Sequence, residues 1–140
     1  MAVANLNQEL KPTFHLLKYT FGIVSIVAGI DKFTDLLTQW ENYLNPGIAH
    51  LIPFTPHTFM MIVGVIEVIA GLIVLAKPII GGYIVSAWLT LIAITLLASG
   101  NYLDVAVRDI VMGIGAFSLA KISKLTSSIV PGRGNFAQPQ

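Results

Sequence analysis

The chain of 140 residues has no cysteine and few charged residues. The lack of cysteine excludes a disulfide, a thiolate metal site and any thiol relay carried by the chain itself. Charged residues make up 11% of the sequence, whereas a soluble domain has about 25%. The formal net charge is only +1, which gives no reason to expect a nucleic acid as a partner. The sequence is instead rich in apolar residues, at 55%, and its length suits one domain.

Four apolar segments are long enough to cross a membrane as helices. A bilayer core of about 30 Å is crossed by roughly 20 apolar residues in a helix. The segments cover residues 13–30, 58–76, 79–98 and 103–120. The alternating polar positions of a barrel strand are missing, and a backbone in lipid must form its hydrogen bonds internally. The predicted fold is therefore all-α, with a transmembrane four-helix bundle in residues 1–126 and a flexible cytoplasmic tail in residues 127–140.

The distribution of lysine and arginine predicts the orientation of these helices, because short cytoplasmic loops carry an excess of both residues. On one side of the predicted membrane lie Lys11, Lys18, Lys77, Lys121, Lys124 and Arg133. The other side has only Lys32 and Arg108. We therefore expect a multi-pass membrane protein with both termini in the cytoplasm. The alternative is that the first segment is a cleaved signal peptide, with Lys11 and Lys18 ahead of its apolar run.

The loop after the first segment contains a stretch with helical periodicity. Its apolar side chains recur at the spacing of one helix face, namely Phe33, Leu36, Leu37, Trp40, Tyr43 and Leu44. Polar residues occupy the opposite face. The pattern predicts an amphipathic helix at the membrane interface, with the Trp40 and Tyr43 rings at the level of the lipid headgroups. Two roles are open for this helix: a cap on the bundle, or a surface that docks a partner.

Ionisable residues within or beside the predicted membrane segments form a candidate buried polar cluster, which consists of Lys32, Glu67, Asp104, Arg108 and Asp109. Charges in a bilayer are costly and are functional candidates by default. Small residues, which let membrane helices approach closely, share a helix face with Lys32, Glu67 and Asp109. We therefore expect these three side chains to face the interior. Asp104 and Arg108 are four residues apart and are expected to pair.

Two interpretations of this polar cluster stay open. It is either a structural staple that fixes the register of the helices, or a site that binds a polar headgroup or carries protons. The histidines do not lie on facing helices at one depth, so they cannot supply a pair of haem ligands; they are His15, His50 and His57. No metal site is predicted, and no cofactor is expected to be held by the chain's own ligands. A quinone or a lipid is the remaining candidate ligand.

Three stretches resemble the DoxX family of small four-helix membrane proteins: residues 22–33, which end in Gly-Ile-Asp-Lys-Phe, residues 64–72 and residues 104–119. The resemblance implies a prokaryotic cytoplasmic membrane and an association with redox biology, since relatives named DoxD belong to a thiosulfate:quinone oxidoreductase. It assigns the family's polar positions to Lys32, Glu67, Arg108 and Asp109. Lys18 stands where relatives often have arginine, and the lack of cysteine excludes sulfur chemistry by the chain's own thiols.

Three functions compete at this point. The first is an accessory or quinone-associated subunit of a membrane redox or respiratory complex, which binds other subunits or itself and has no activity alone. The second is a quinone- or lipid-binding oxidoreductase component of the thiosulfate:quinone type. In it, Glu67 or Asp109 exchanges protons and Arg108 polarises the ring oxygen, while another subunit donates electrons. The third is a small oligomeric transporter, which is disfavoured because no interrupted helix pair is present.

Overall fold

The computed structural model describes residues 2–129, and all regular secondary structure in this part of the chain is helical. Its five α-helices are α1 (Ala2–Thr34), α2 (Pro46–Ala49), α3 (Pro56–Ala76), α4 (Pro78–Ser99) and α5 (Leu103–Ile129). A short 3-10 helix, Trp40–Tyr43, lies between α1 and α2. The predicted all-α class is confirmed.

Among the described residues, three helices are long and apolar enough to cross a membrane: Asn5–Thr34 in α1, Pro56–Ala76 in α3 and Pro78–Ser99 in α4. They correspond to the first three predicted segments, although α1 begins well before residue 13. The fourth predicted segment is helical and forms most of α5, but α5 is not one of these three helices. Its first two turns carry Asp104, Arg108 and Asp109, which lower the hydropathy of that part.

The four long helices contact one another in a cyclic order. α1 packs mainly against α3 and α4 mainly against α5, while contacts of α3 with α4 and of α1 with α5 close the ring. A tight turn at Lys77 joins α3 to α4, which begins with a proline. The buried core between the helices consists of Phe21, Ala70, Val74, Val85, Ala116 and Leu119.

Two ends of this helical core differ in character and are named here. The basic end comprises the first half of α1, the turn between α3 and α4, and the last turns of α5, and it carries most of the lysines. The loop end comprises the last turns of α1, the first turns of α3 and α5, and the loop that contains the 3-10 helix.

Glycines bring α1 and α3 into backbone contact near the loop end. A Cβ atom placed on Gly29 would lie 2.5 Å from the carbonyl oxygen of Gly64, and the reverse placement gives the same distance. Gly22 and Gly71 repeat this contact further along the two helices. Small residues at such positions allow close approach of helices, so the spacing of α1 and α3 is set by these glycines.

The predicted amphipathic interfacial helix after the first segment is wrong. Asp35, which follows α1, adopts a φ of 50°, and the chain is then non-helical until Trp40. The physical reason is that the Asp31 carboxylate accepts hydrogen bonds from the backbone N–H groups of Leu36 and Leu37, at 3.0 and 3.1 Å. A continuing helix would have bonded these groups to its own carbonyls.

The stretch predicted as a flexible tail, residues 127–140, begins inside a helix. α5 continues to Ile129. The rest of that predicted tail, residues 130–140, lies outside the described residues.

Candidate functional site

A largely buried ion pair joins α1 to α3 near the loop end. The Lys32 Nζ atom lies 2.6 Å from the Glu67 Oε2 atom, and the two side chains are 5% and 12% exposed. Each residue follows by three positions the glycine at which the two backbones touch, Gly29 in α1 and Gly64 in α3. The close helix spacing therefore brings both side chains within hydrogen-bonding distance. Two of the predicted cluster residues are thus direct partners.

An aromatic ring covers the Lys32 ammonium group on its loop side. The ammonium nitrogen lies 3.6 Å from the centroid of the Trp40 ring, which is a close cation–π contact. The Trp40 Nε1–H donates a hydrogen bond of 2.7 Å to the Asp31 carboxylate, and Asp31 is itself buried. Asp31 therefore both ends α1 and orients the ring that covers its neighbour.

α4 contributes a third side chain to this region. The Trp88 Nε1–H points to the Glu67 Oε1 atom at 3.5 Å, the long limit of a hydrogen bond. Sequence reasoning missed Trp88. The available signal was its indole N–H, because a tryptophan in a long apolar helix needs an acceptor when it is buried. The pair between Lys32 and Glu67, with Trp40 and Trp88, links α1, α3, α4 and the loop.

Asp109 and Arg108 lie on α5 and differ sharply in exposure. The Asp109 side chain is 7% exposed and the Arg108 side chain is 62% exposed. Two guanidinium nitrogens of Arg108 donate to the Asp109 Oδ1 atom at 3.4 Å. Of these two cluster residues, Asp109 faces the interior and Arg108 lies on the outer surface of α5.

The structure does not place Asp104 in the interior. Asp104 is exposed, and within residues 2–129 it forms no ion pair with Arg108. The expected pair is replaced because the guanidinium of Arg108 turns towards its neighbour Asp109 instead. The predicted five-residue cluster is therefore divided between two buried residues, Lys32 and Asp109, the partly buried Glu67, and two exposed residues.

The predicted partner surface in the loop is also divided. Phe33 and Leu37 are exposed, at 46% and 69%. Trp40, Tyr43 and Leu44 are half-buried. The Tyr43 ring packs against the Tyr102 ring beside the start of α5, with centroids 4.5 Å apart. The half-buried members hold the loop against the helices, whereas the exposed members are free to contact lipid or another protein.

No group of three or more potential metal ligands occurs among the residues that the structure describes. Comparison with known proteins adds no assignment: no protein-family model, curated protein or solved structure matches the chain.

Proposed function

We propose that the chain is an integral membrane protein with four membrane-spanning helices, of the DoxX kind, and that it serves as an accessory subunit of a membrane redox complex. One observation carries the membrane part: the distribution of side chains is the reverse of that in water. Lys32 and Asp109 are only 4% and 5% exposed. In contrast, many large apolar side chains on the outside of the helices are exposed by about half, among them Ile23, Val27, Val65, Ile69, Leu91, Ile94, Val107 and Val111.

The exposed apolar surface extends over all four long helices. Soluble monomers do not expose contiguous apolar surface on this scale, because hydration of apolar area is unfavourable. A bilayer removes that cost. The lysines at the basic end supply the positive charge expected on the cytoplasmic side, which favours two cytoplasmic termini in a prokaryotic inner membrane.

α5 acts as the fourth span in this proposal. Its exposed Arg108 lies about 8 Å from the helix start at 1.5 Å per residue, and the exposed Asp104 lies in the first turn. The Arg108 guanidinium is paired with Asp109, whose side chain is sheltered by the other helices, so the charge is partly balanced at that depth.

An accessory role is supported by two features together with the family resemblance. Lys32 and Glu67 form an ion pair, and each also contacts the indole ring of a tryptophan. We therefore interpret the pair as a structural link between α1 and α3. Arg108 stands among exposed apolar side chains of α5, including Val107 and Val111. A partner helix with a polar or acidic side chain at this level would bury the apolar surface and give the guanidinium a second acceptor beside Asp109.

The test is purification from native membranes after extraction in a mild detergent. We expect the chain to resist alkaline extraction and to migrate in a complex with other subunits. Arg108→Gln should release it from that complex, whereas Lys124→Gln, an exposed cation at the other end of α5, should not. Release into the soluble fraction would overturn membrane insertion, and migration as a free monomer or dimer would overturn the accessory role.

A second function, a quinone- or lipid-binding oxidoreductase component, is favoured by the pair on α5. Asp109 is a buried acid beside an exposed cation, so a polar ring that approaches from the bilayer could contact both. Reduction of a quinone takes two electrons and two protons; Asp109 would pass protons, and a redox group of another subunit would supply the electrons.

Asp109→Asn should then lower quinone-linked turnover of the intact complex at least tenfold, because general acid–base catalysis typically raises a rate by about 10²–10⁴-fold. Unchanged turnover in both Asp109→Asn and Glu67→Gln would exclude this role.

A further inference from the structure

The basic end contains a cavity of about 680 Å³ that lies between the first half of α1, the turn between α3 and α4, and the end of α5. Lys11, Lys18 and Lys77 line it, together with His15. No acidic residue is among its lining residues, and within residues 2–129 none of the three lysines forms a salt bridge. The cavity therefore has an excess of positive charge with no internal counterion.

The same cavity has an apolar side. Phe14, Ile79 and Ile80 line it together with the lysines. Ile80 is 52% exposed, so this apolar surface continues onto the outside of α4. A free inorganic anion would neutralise the lysines but would leave the apolar side chains uncovered. An amphiphile matches both parts of the lining.

We infer that this cavity binds the headgroup of an anionic phospholipid. The phosphodiester lies against the three lysines, and one acyl chain covers the apolar lining residues. Basic pockets between membrane helices on the cytoplasmic side have the charge and position that suit such lipids. The inference rests on the membrane insertion proposed above.

The experiment titrates phosphatidylglycerol or phosphatidylcholine into the full-length protein in mild detergent, with bound lipid counted by native mass spectrometry. We expect selective retention of phosphatidylglycerol. Each single change among Lys11→Gln, Lys18→Gln and Lys77→Gln should weaken it about fivefold, the equivalent of about 1 kcal/mol per cation. The matched control is Lys121→Gln with Lys124→Gln, which removes two cations of α5 outside the cavity lining and should have little effect.

Three results would overturn the lipid site: equal retention of phosphatidylcholine, equal loss in the control variant, or displacement of the lipid by inorganic phosphate at matched concentration. The last result would identify a free-phosphate site instead. Circular dichroism on each variant separates loss of lipid from loss of fold. Flotation of the protein with lipid vesicles is measured first: a chain that does not float refutes the proposed function, whereas a chain that floats without lipid preference refutes only this inference.

Discussion

The two ends of the helical core use lysine in opposite ways. At the loop end, Lys32 is 4% exposed, meets the Glu67 carboxylate at 2.6 Å and lies under the Trp40 ring. At the basic end, Lys11 and Lys18 line an open cavity without a carboxylate. The difference lies in the facing helix: α3 offers a glutamate opposite Lys32, whereas no residue of the described part of the chain that lines the basic cavity is acidic. Lysine thus links two helices at the loop end, whereas at the basic end its ammonium group is available to bind a ligand.

The largest expected effect comes from removing one member of the buried pair. Lys32→Met or Glu67→Gln leaves an unbalanced buried group and should lower the free energy of unfolding by about 3–5 kcal/mol. Thermal unfolding in detergent or in lipid nanodiscs measures this loss. The control is Glu41→Gln, which breaks an exposed pair with His57 and should cost about 1 kcal/mol or less.

The double variant Lys32→Met with Glu67→Leu sharpens this prediction. Removing both charges leaves no unpaired buried ion, so most of the lost stability should return. A double variant as unstable as either single variant would show that the two residues do not act as a pair.

An intermediate effect is expected at the ring that covers Lys32. Trp40→Phe keeps an aromatic face over the ammonium group but removes the indole N–H that donates to Asp31. The stability loss should be less than half of that caused by Glu67→Gln, and Trp40→Leu, which also removes the cation–π contact, should lose more than Trp40→Phe. Equal melting temperatures of the two Trp40 variants would contradict a role for the ring face.

The smallest stability effect is expected at the basic end. Lys18→Gln combined with Lys77→Gln should change the free energy of unfolding by less than about 0.5 kcal/mol in detergent without anionic lipid, because no protein carboxylate loses its partner. The measurement is the same thermal unfolding. A loss of unfolding free energy as large as that of Lys32→Met would show that the lysines at the basic end are also structural.

The all-α fold class could be predicted from the sequence because helix formation depends on local runs of apolar residues. Long runs of apolar residues without alternation can satisfy their backbone only as helices in an apolar medium, and three such helices have the length and composition to cross a membrane. The prediction of an interfacial helix was wrong for a reason that is also local. The periodicity of apolar residues favoured a helix after residue 33. However, the Asp31 carboxylate accepts hydrogen bonds from the backbone N–H groups of Leu36 and Leu37, and α1 ends there.

The sequence by itself determined which residues share a helix face. The small residues beside Lys32, Glu67 and Asp109 marked the positions where charges would be sheltered by neighbouring helices. Only the tertiary structure decided which of them meet. Pairing across helices depends on their spacing and register, which the glycine contacts between α1 and α3 set. It also depends on side-chain direction: Arg108 lies on the outer surface of α5 with its guanidinium against the inward-facing Asp109, and Asp104 stays exposed.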